Sequence, residues 1–260
     1  MENYPDYLGC CNALDNAVGR VNTKLEELGL SDDTLIVYTS DHGSHFRTRN
    51  SEYKRSCHDG CLRIPMIFKG PGFEGGEVNQ NLASLIDIPK TVLAATGADV
   101  PADWQGVDVR QTLGKENVRE VVFAQLSESH AGRTIRTKKW KYATWLPEAP
   151  GGWTEQQHDG EIVYYERFLY DLENDPHERT NLISDPKYAD IRLELATILK
   201  DKMIEDLKDF NRKNGHTPIN EIVLKDYFKL LIKSDKRHGK DTVNVLKLGL
   251  LNKGFEGETI

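Results

Sequence analysis

Asp41 and His42 follow an apolar, β-branched run, Leu35-Ile36-Val37-Tyr38, and six cationic or imidazole side chains come within the next sixteen residues: His45, Arg47, Arg49, Lys54, Arg55 and His58. A carboxylate offers hard oxygen ligands and an imidazole a nitrogen, so Asp41 and His42 together can hold a divalent cation. A metal beside a cationic cluster suits an oxyanion such as sulfate or phosphate. The competing reading of Asp41-His42-Gly43 is a plain turn, with the Asp bonding its own backbone and the Gly at positive φ. A plain turn gives no reason for so many like charges nearby. Arg47 and Arg49 can each grip a second sulfate or a carboxylate by bidentate pairing, or stand as surface arginines.

The elements that must position these groups follow from periodicity. Residues 35–38 have the length and composition of a buried parallel strand, and open α/β sheets bind ligands at the carboxyl ends of such strands. Before it, Cys11, Leu14, Val18, Val21, Leu25 and Leu28 recur at helical spacing, Gly29 ends that helix, and Ser31-Asp32-Asp33 makes the turn. Helix, loop and strand make half of a βαβ unit. Arg63–Phe68 reads as the next strand and Leu82–Leu93 as a helix that must accommodate Pro89. Past Gly114-Lys115-Glu116-Asn117 the pattern changes to short strands at 121–126, 134–136, 140–145, 162–165 and 168–171. An amphipathic helix follows over 189–210, so this part reads as a small antiparallel sheet with a helix. Asp171-Leu172-Glu173-Asn174-Asp175-Pro176 reads as an Asx-rich turn in preference to a calcium loop.

Composition excludes several classes. The chain has 260 residues, 38% hydrophobic, and no apolar run near the ~20 needed to cross a bilayer. MENYPDYLG lacks the basic start and apolar stretch of a secretory signal. Cys10, Cys11, Cys57 and Cys61 make no disulfide framework, and Cys57-His58-x-x-Cys61 lacks the second half of a zinc site, so packing thiols are expected. Residues 211–253 hold ten Lys/Arg against four Asp/Glu. Ile219, Ile222, Val223, Tyr227, Leu230 and Leu231 suggest a helix there, read as a solvated cap or a polyanion-binding surface.

The motifs TLIVYTSDHG, Lys54 four residues before His58-Asp59-Gly60, Leu62-Arg63-Ile64-Pro65 and Lys69-Gly70-Pro71-Gly72 resemble the C-terminal half of a type I, formylglycine-dependent sulfatase of the alkaline phosphatase superfamily. The resemblance continues through NLASLIDIPKTVLAATGADVP, GRTIRTKKWKYATW and FLYDLENDPHERTNL, in order, and covers roughly residues 4 to 210. It implies an α/β fold: a partial alkaline-phosphatase-like α/β/α sandwich over 1–115, then a small antiparallel-sheet-plus-helix C-terminal subdomain over 116–212. A basic, partly helical extension occupies 213–260.

The resemblance also implies roles. Asp41 and His42 would complete a Ca2+ site and Lys54 would contact the sulfate. His58 stands where the family more often has an aromatic, with Asp59 and Cys61 replacing Glu and Gly. The family's nucleophile is a formylglycine made from the Cys or Ser of Cys/Ser-x-Pro-x-Arg. Here only Ser184-Asp185-Pro186-Lys187-Tyr188 approaches that motif, with Tyr188 in place of Arg. The expectation is therefore a sulfatase fragment, split enzyme or degenerate relative, inactive alone, whose partners are a sulfated carbohydrate and a separately encoded amino-terminal half. Nucleic acid is not an expected partner, and a full-length relative would be periplasmic or extracellular. A phosphatase or phosphodiesterase of the same superfamily, and a non-catalytic glycan-binding remnant, are the alternatives.

Overall fold

The computed structural model describes residues 4–126, 131–146, 162–213, 234–235 and 243–248. The chain divides into two compact units, each made of separate stretches: residues 1–41 with 65–118, and residues 42–64 with 119–260.

In the first unit, α1 (Tyr4–Glu27) forms where helical spacing predicts it, and Gly29 closes it at positive φ. Strands β1 (Ile36–Thr39) and β2 (Met66–Lys69) pair antiparallel, Ile36 opposite Lys69 and Thr39 opposite Met66. This corrects the expectation of a buried parallel strand. Residues 40–65 form the cationic loop with one four-residue helix, α2 (Asp59–Leu62), and not a crossover helix that would carry β2 back in the same direction. With one partner among the described residues, β1 is half-buried throughout. Helix α3 (Asp87–Ala95) starts five residues later than expected. Its Pro89 then falls in the first turn, where the missing N–H costs nothing.

The second unit is built on an antiparallel sheet, β3 (Val122–Leu126), β4 (Ala131–Arg136), β5 (Trp140–Leu146) and β6 (Ile162–Asp171), continued by β8 (Val243–Leu248) and β7 (Ser234–Asp235) in the order β3-β4-β5-β6-β8-β7. The two short strands read in 162–171 are one strand, and the apparent break has a physical cause. Pairing shifts register between Ala143 and Thr144, leaving Arg167 as the extra residue opposite them. The bulge lets Tyr164 pack on one face while Phe168 and Tyr170 turn to the other. The residues around 219–231 read as a tail helix lie outside the described residues.

Each face of this sheet has its own cover. On one, Ile135, Tyr142, Tyr164 and Leu169 meet Leu195, Ala196 and Leu199 of α4 (Ala189–Lys213). Leu169 and Leu199 are fully buried, and each such side chain contributes ~1.5–3 kcal/mol through area removed from water. On the other face lies the loop of residues 42–64, where Cys57 packs with Leu126, Ala143 and Phe168. The loop carrying the cationic cluster is thus seated on the antiparallel sheet. The Asx-rich turn also forms, with Asp171 accepting from the amides of Glu173 and Asn174.

Candidate functional site

In the second unit the Lys54 ammonium lies 3.1 Å from His42 Nε2. His42 Nδ1 is 2.8 Å from the Gly43 carbonyl, an obligate acceptor, so Nδ1 carries the proton and Nε2 presents its lone pair to Lys54. Tyr53 lies near both, its ring 5.7 Å from the ammonium and 6.3 Å from the imidazole. A cation held against a neutral imidazole and an aromatic ring, half-buried, is prepared to receive an anion at short range.

The loop around Lys54 is braced internally. Buried His45 donates Nε2–H to the Lys54 carbonyl at 3.0 Å, and Asn50 donates to the same oxygen at 3.1 Å. Phe46, Arg47 and Arg55 adopt positive φ, the cost of a tight path. Gly43 does not, so the turn reading of its role is incorrect. A Cβ at Gly43 would stand 2.2 Å from the Gly60 carbonyl, and Gly43 donates its N–H to Cys61 O at 2.8 Å. Glycine is there for close backbone approach.

The six sequence-predicted residues are distributed unequally. His42 and Lys54 meet. Asp41, in the first unit, is exposed and accepts from Ser40 Oγ at 3.4 Å. Arg47 is exposed on the loop. Arg49 turns its guanidinium onto the carbonyls of His177 (2.6 Å) and Glu178 (2.7 Å), which uses two of its donor nitrogens. His58 is buried between Phe168 and Tyr170, with Nε2 3.1 Å from the Tyr170 hydroxyl. Burial first, then the neighbouring Arg49 and Lys141 charges, push its pKa down to about 3, so it is neutral. Cys57 is buried in apolar surroundings that push its thiol up to about 12, and Cys61 is buried beside Ser56. Both are packing thiols.

Sequence reading missed a buried charge cluster: fully buried Lys141 of β5, Glu178, Asp59 and Arg136 of β4. Burial alone would raise the Asp59 carboxyl, but Lys141 and Arg136 outweigh it and hold it below the ordinary carboxylate value. Alternation in Trp140-Lys141-Tyr142 sets Lys141 on the face opposite the two aromatics, a position that sequence alone reads as solvated; the loop seated on that face is what buries it.

Among the described residues no three His, Cys, Asp or Glu side chains group as a metal shell. Calcium takes six to eight oxygen ligands, and of the two only Asp41 offers oxygen; His42 has Nδ1 against the Gly43 carbonyl and Nε2 against Lys54, so in this arrangement it is not a free donor.

The sequence profile described as Sulfatase matches residues 2–98, and that described as N-sulphoglucosamine sulphohydrolase, C-terminal, matches residues 51–205. The chain belongs to the sulfatase family. This sulfatase-family chain is 28% identical over 210 residues to an N-acetylglucosamine-6-O-sulfatase of Bacteroides thetaiotaomicron, covering 75% of this chain and 35% of the relative. Among solved structures it resembles a protein in complex with its substrate D-glucosamine-2-N,6-O-disulfate (25% identity, TM-score 0.60, 76% of this chain and 39% of the other). It also resembles a phosphonate monoester hydrolase of Agrobacterium radiobacter (26%, TM-score 0.57, 74% and 39%). The chain spans about a third of the length of the curated relatives it matches. No helix among the described residues is long and apolar enough to cross a membrane.

Proposed function

We propose that this chain supplies the C-terminal part of a sulfuric ester hydrolase acting on a sulfated carbohydrate, with Lys54 as the residue that meets the sulfate. The observation that carries this reading is the Lys54 ammonium held 3.1 Å from His42 Nε2, within the loop that follows β1. An ammonium there neutralises charge that builds on the ester oxygen as the S–O bond breaks, and a charge-assisted hydrogen bond of this kind is worth about 1.5–3 kcal/mol. Arg47, exposed on the same loop, would hold a second sulfate or a carboxylate of the sugar chain. Arg49 has only part of its guanidinium left for that task. His58, buried and neutral, would shape the floor under the loop.

Asp41 would offer a carboxylate oxygen to a Ca2+ ion, and His42 would join it only on releasing Nε2 from Lys54; such an ion would polarise the sulfate oxygens. The formylglycine nucleophile would come from outside these 260 residues, since none of their prolines lies in Cys/Ser-x-Pro-x-Arg. In this reading residues 1–115 are the last part of an α/β/α sandwich whose remainder is the family's amino-terminal half. The relatives' extra length supports it, and so does α1, which buries none of its residues and exposes Tyr7, Leu8, Leu14 and Val21.

The test is hydrolysis of an aryl sulfate and of D-glucosamine 6-O-sulfate by the purified chain, alone and mixed with an amino-terminal sulfatase segment. Turnover is expected in the mixture alone, and Lys54→Ala should lower it at least tenfold. Turnover unaffected by Lys54→Ala overturns the assignment. The likeness to a phosphonate monoester hydrolase supports a second reading, in which the tetrahedral anion is a phosphonate. A phosphonate monoester, phenyl methylphosphonate, hydrolysed to phenol and methylphosphonate faster than the sulfate esters are turned over would favour it.

A further inference from the structure

The Lys54 loop rests on buried charges that the chemistry above does not use. Lys141 donates to Asp59 Oδ1 and, at 2.5 Å, to Glu178 Oε1. Glu178 Oε2 accepts the Asp59 backbone N–H at 2.8 Å, and Arg136 reaches both Asp59 oxygens at 3.3 Å. The backbone carbonyls of His177 and Glu178 also accept the two donors of Arg49. The middle of the loop, at Arg49, and its end, at Asp59, are therefore fastened to the same turn.

We propose that Glu178 and Lys141 are positioning residues that fix where Lys54 and His42 stand, an inference that rests on the reading of Lys54 as the sulfate contact. Two features carry it. The loop is poor in apolar anchors: Cys57 and Cys61 are buried, while Phe46 and Tyr53 are exposed, so hydrophobic burial alone specifies its register weakly. It is also braced within itself, through His45 and Asn50 on the Lys54 carbonyl, so a shift at Arg49 and Asp59 is passed to Lys54. Two cations face two carboxylates in the cluster, and the Asp59 N–H finds its acceptor only at one register of loop on sheet. Buried ion clusters are weak contributors to net stability, and fixing one arrangement among several is their better use here.

The experiment uses the whole chain. Glu178→Gln keeps the shape and one acceptor but removes the charge opposite Lys141, and Arg49→Lys cuts the two-carbonyl tie outside the buried cluster. Amide hydrogen exchange is followed at residues 44–58 and in α4, and affinity is measured for D-glucosamine-2-N,6-O-disulfate. Both variants should speed loop exchange at least tenfold with α4 unchanged, and weaken binding at least fivefold. Loop exchange unchanged in both variants overturns the proposal, as does equal loss of protection in loop and helix, which marks a general fold element. If Glu178→Gln fails to fold, Glu178→Asp, which keeps the charge but shortens the reach to Lys141 and the Asp59 N–H, takes its place with the same readouts. Binding insensitive to Lys54→Ala overturns the sulfate-contact reading instead, and the exchange result still judges the positioning.

Discussion

His58 illustrates how one side chain changes meaning between sequence and fold. In the sequence it sits among cations as a candidate anion contact; in the structure it is a neutral ring between two aromatics. Tyr170 is itself pushed above its ordinary value by burial, so its hydroxyl stays protonated and shares a hydrogen bond with His58 Nε2. The consequence for stability has a definite sign. The folded pKa, about 3, lies below the ordinary 6.5, so the unfolded chain takes up a proton that the folded one refuses. Stability is therefore lost as pH falls from 6.5 toward about 3, and His58→Phe should flatten that slope in urea melts. Its ring resonances should stay unshifted near pH 6.5 and move only as pH approaches about 3. At Asp59 the shift is downward, so its contribution is present above the ordinary carboxylate value and is lost as pH falls below it.

Among the elements, β6 and α4 meet at a carboxyl that resists ionisation. Burial raises Glu166 to about 7 despite the hydrogen bond from Tyr142 (2.9 Å) and Arg192 at 3.6 Å, and its Oε2 has no hydrogen-bond partner among the described residues. Here the folded state binds the proton more tightly, so stability falls as pH rises from 4.5 to about 7 and then levels. Glu166→Gln should remove that fall, on the order of 3 kcal/mol, in denaturant melts across the range. The loop-on-loop crossing at Gly43 and Gly60 gives a second test at this scale. Gly43→Ala must push the Gly60 carbonyl away from 2.2 Å. It should cost about 1–3 kcal/mol, as other overpacking does, and weaken sulfate binding with it.

For the whole molecule, the relevant fact is that two units share one chain that crosses between them after residues 41, 64 and 118. The first unit carries a helix of 24 residues with none buried. Leu8→Glu with Leu14→Glu should therefore change the melting of the isolated chain by less than about 0.5 kcal/mol, since both positions are exposed. The same pair should block complementation by an amino-terminal sulfatase segment. A complemented activity unaffected by both charges would place the partner's surface elsewhere.

What the sequence determined by itself was local and periodic. The helical stripes gave α1 and α4, alternation gave the strands of the antiparallel sheet, and the ordered motifs around Asp41-His42-Gly43 and Lys54 gave the family. Tertiary structure alone decided the direction of β2 beside β1, the burial of His58, the capture of Arg49 by two carbonyls and the partners of Lys141. Those outcomes join residues far apart in the chain, Asp59 with Lys141 and Glu178 above all. Local side-chain spacing encodes which face is apolar, and carries no record of which distant charge that face will meet.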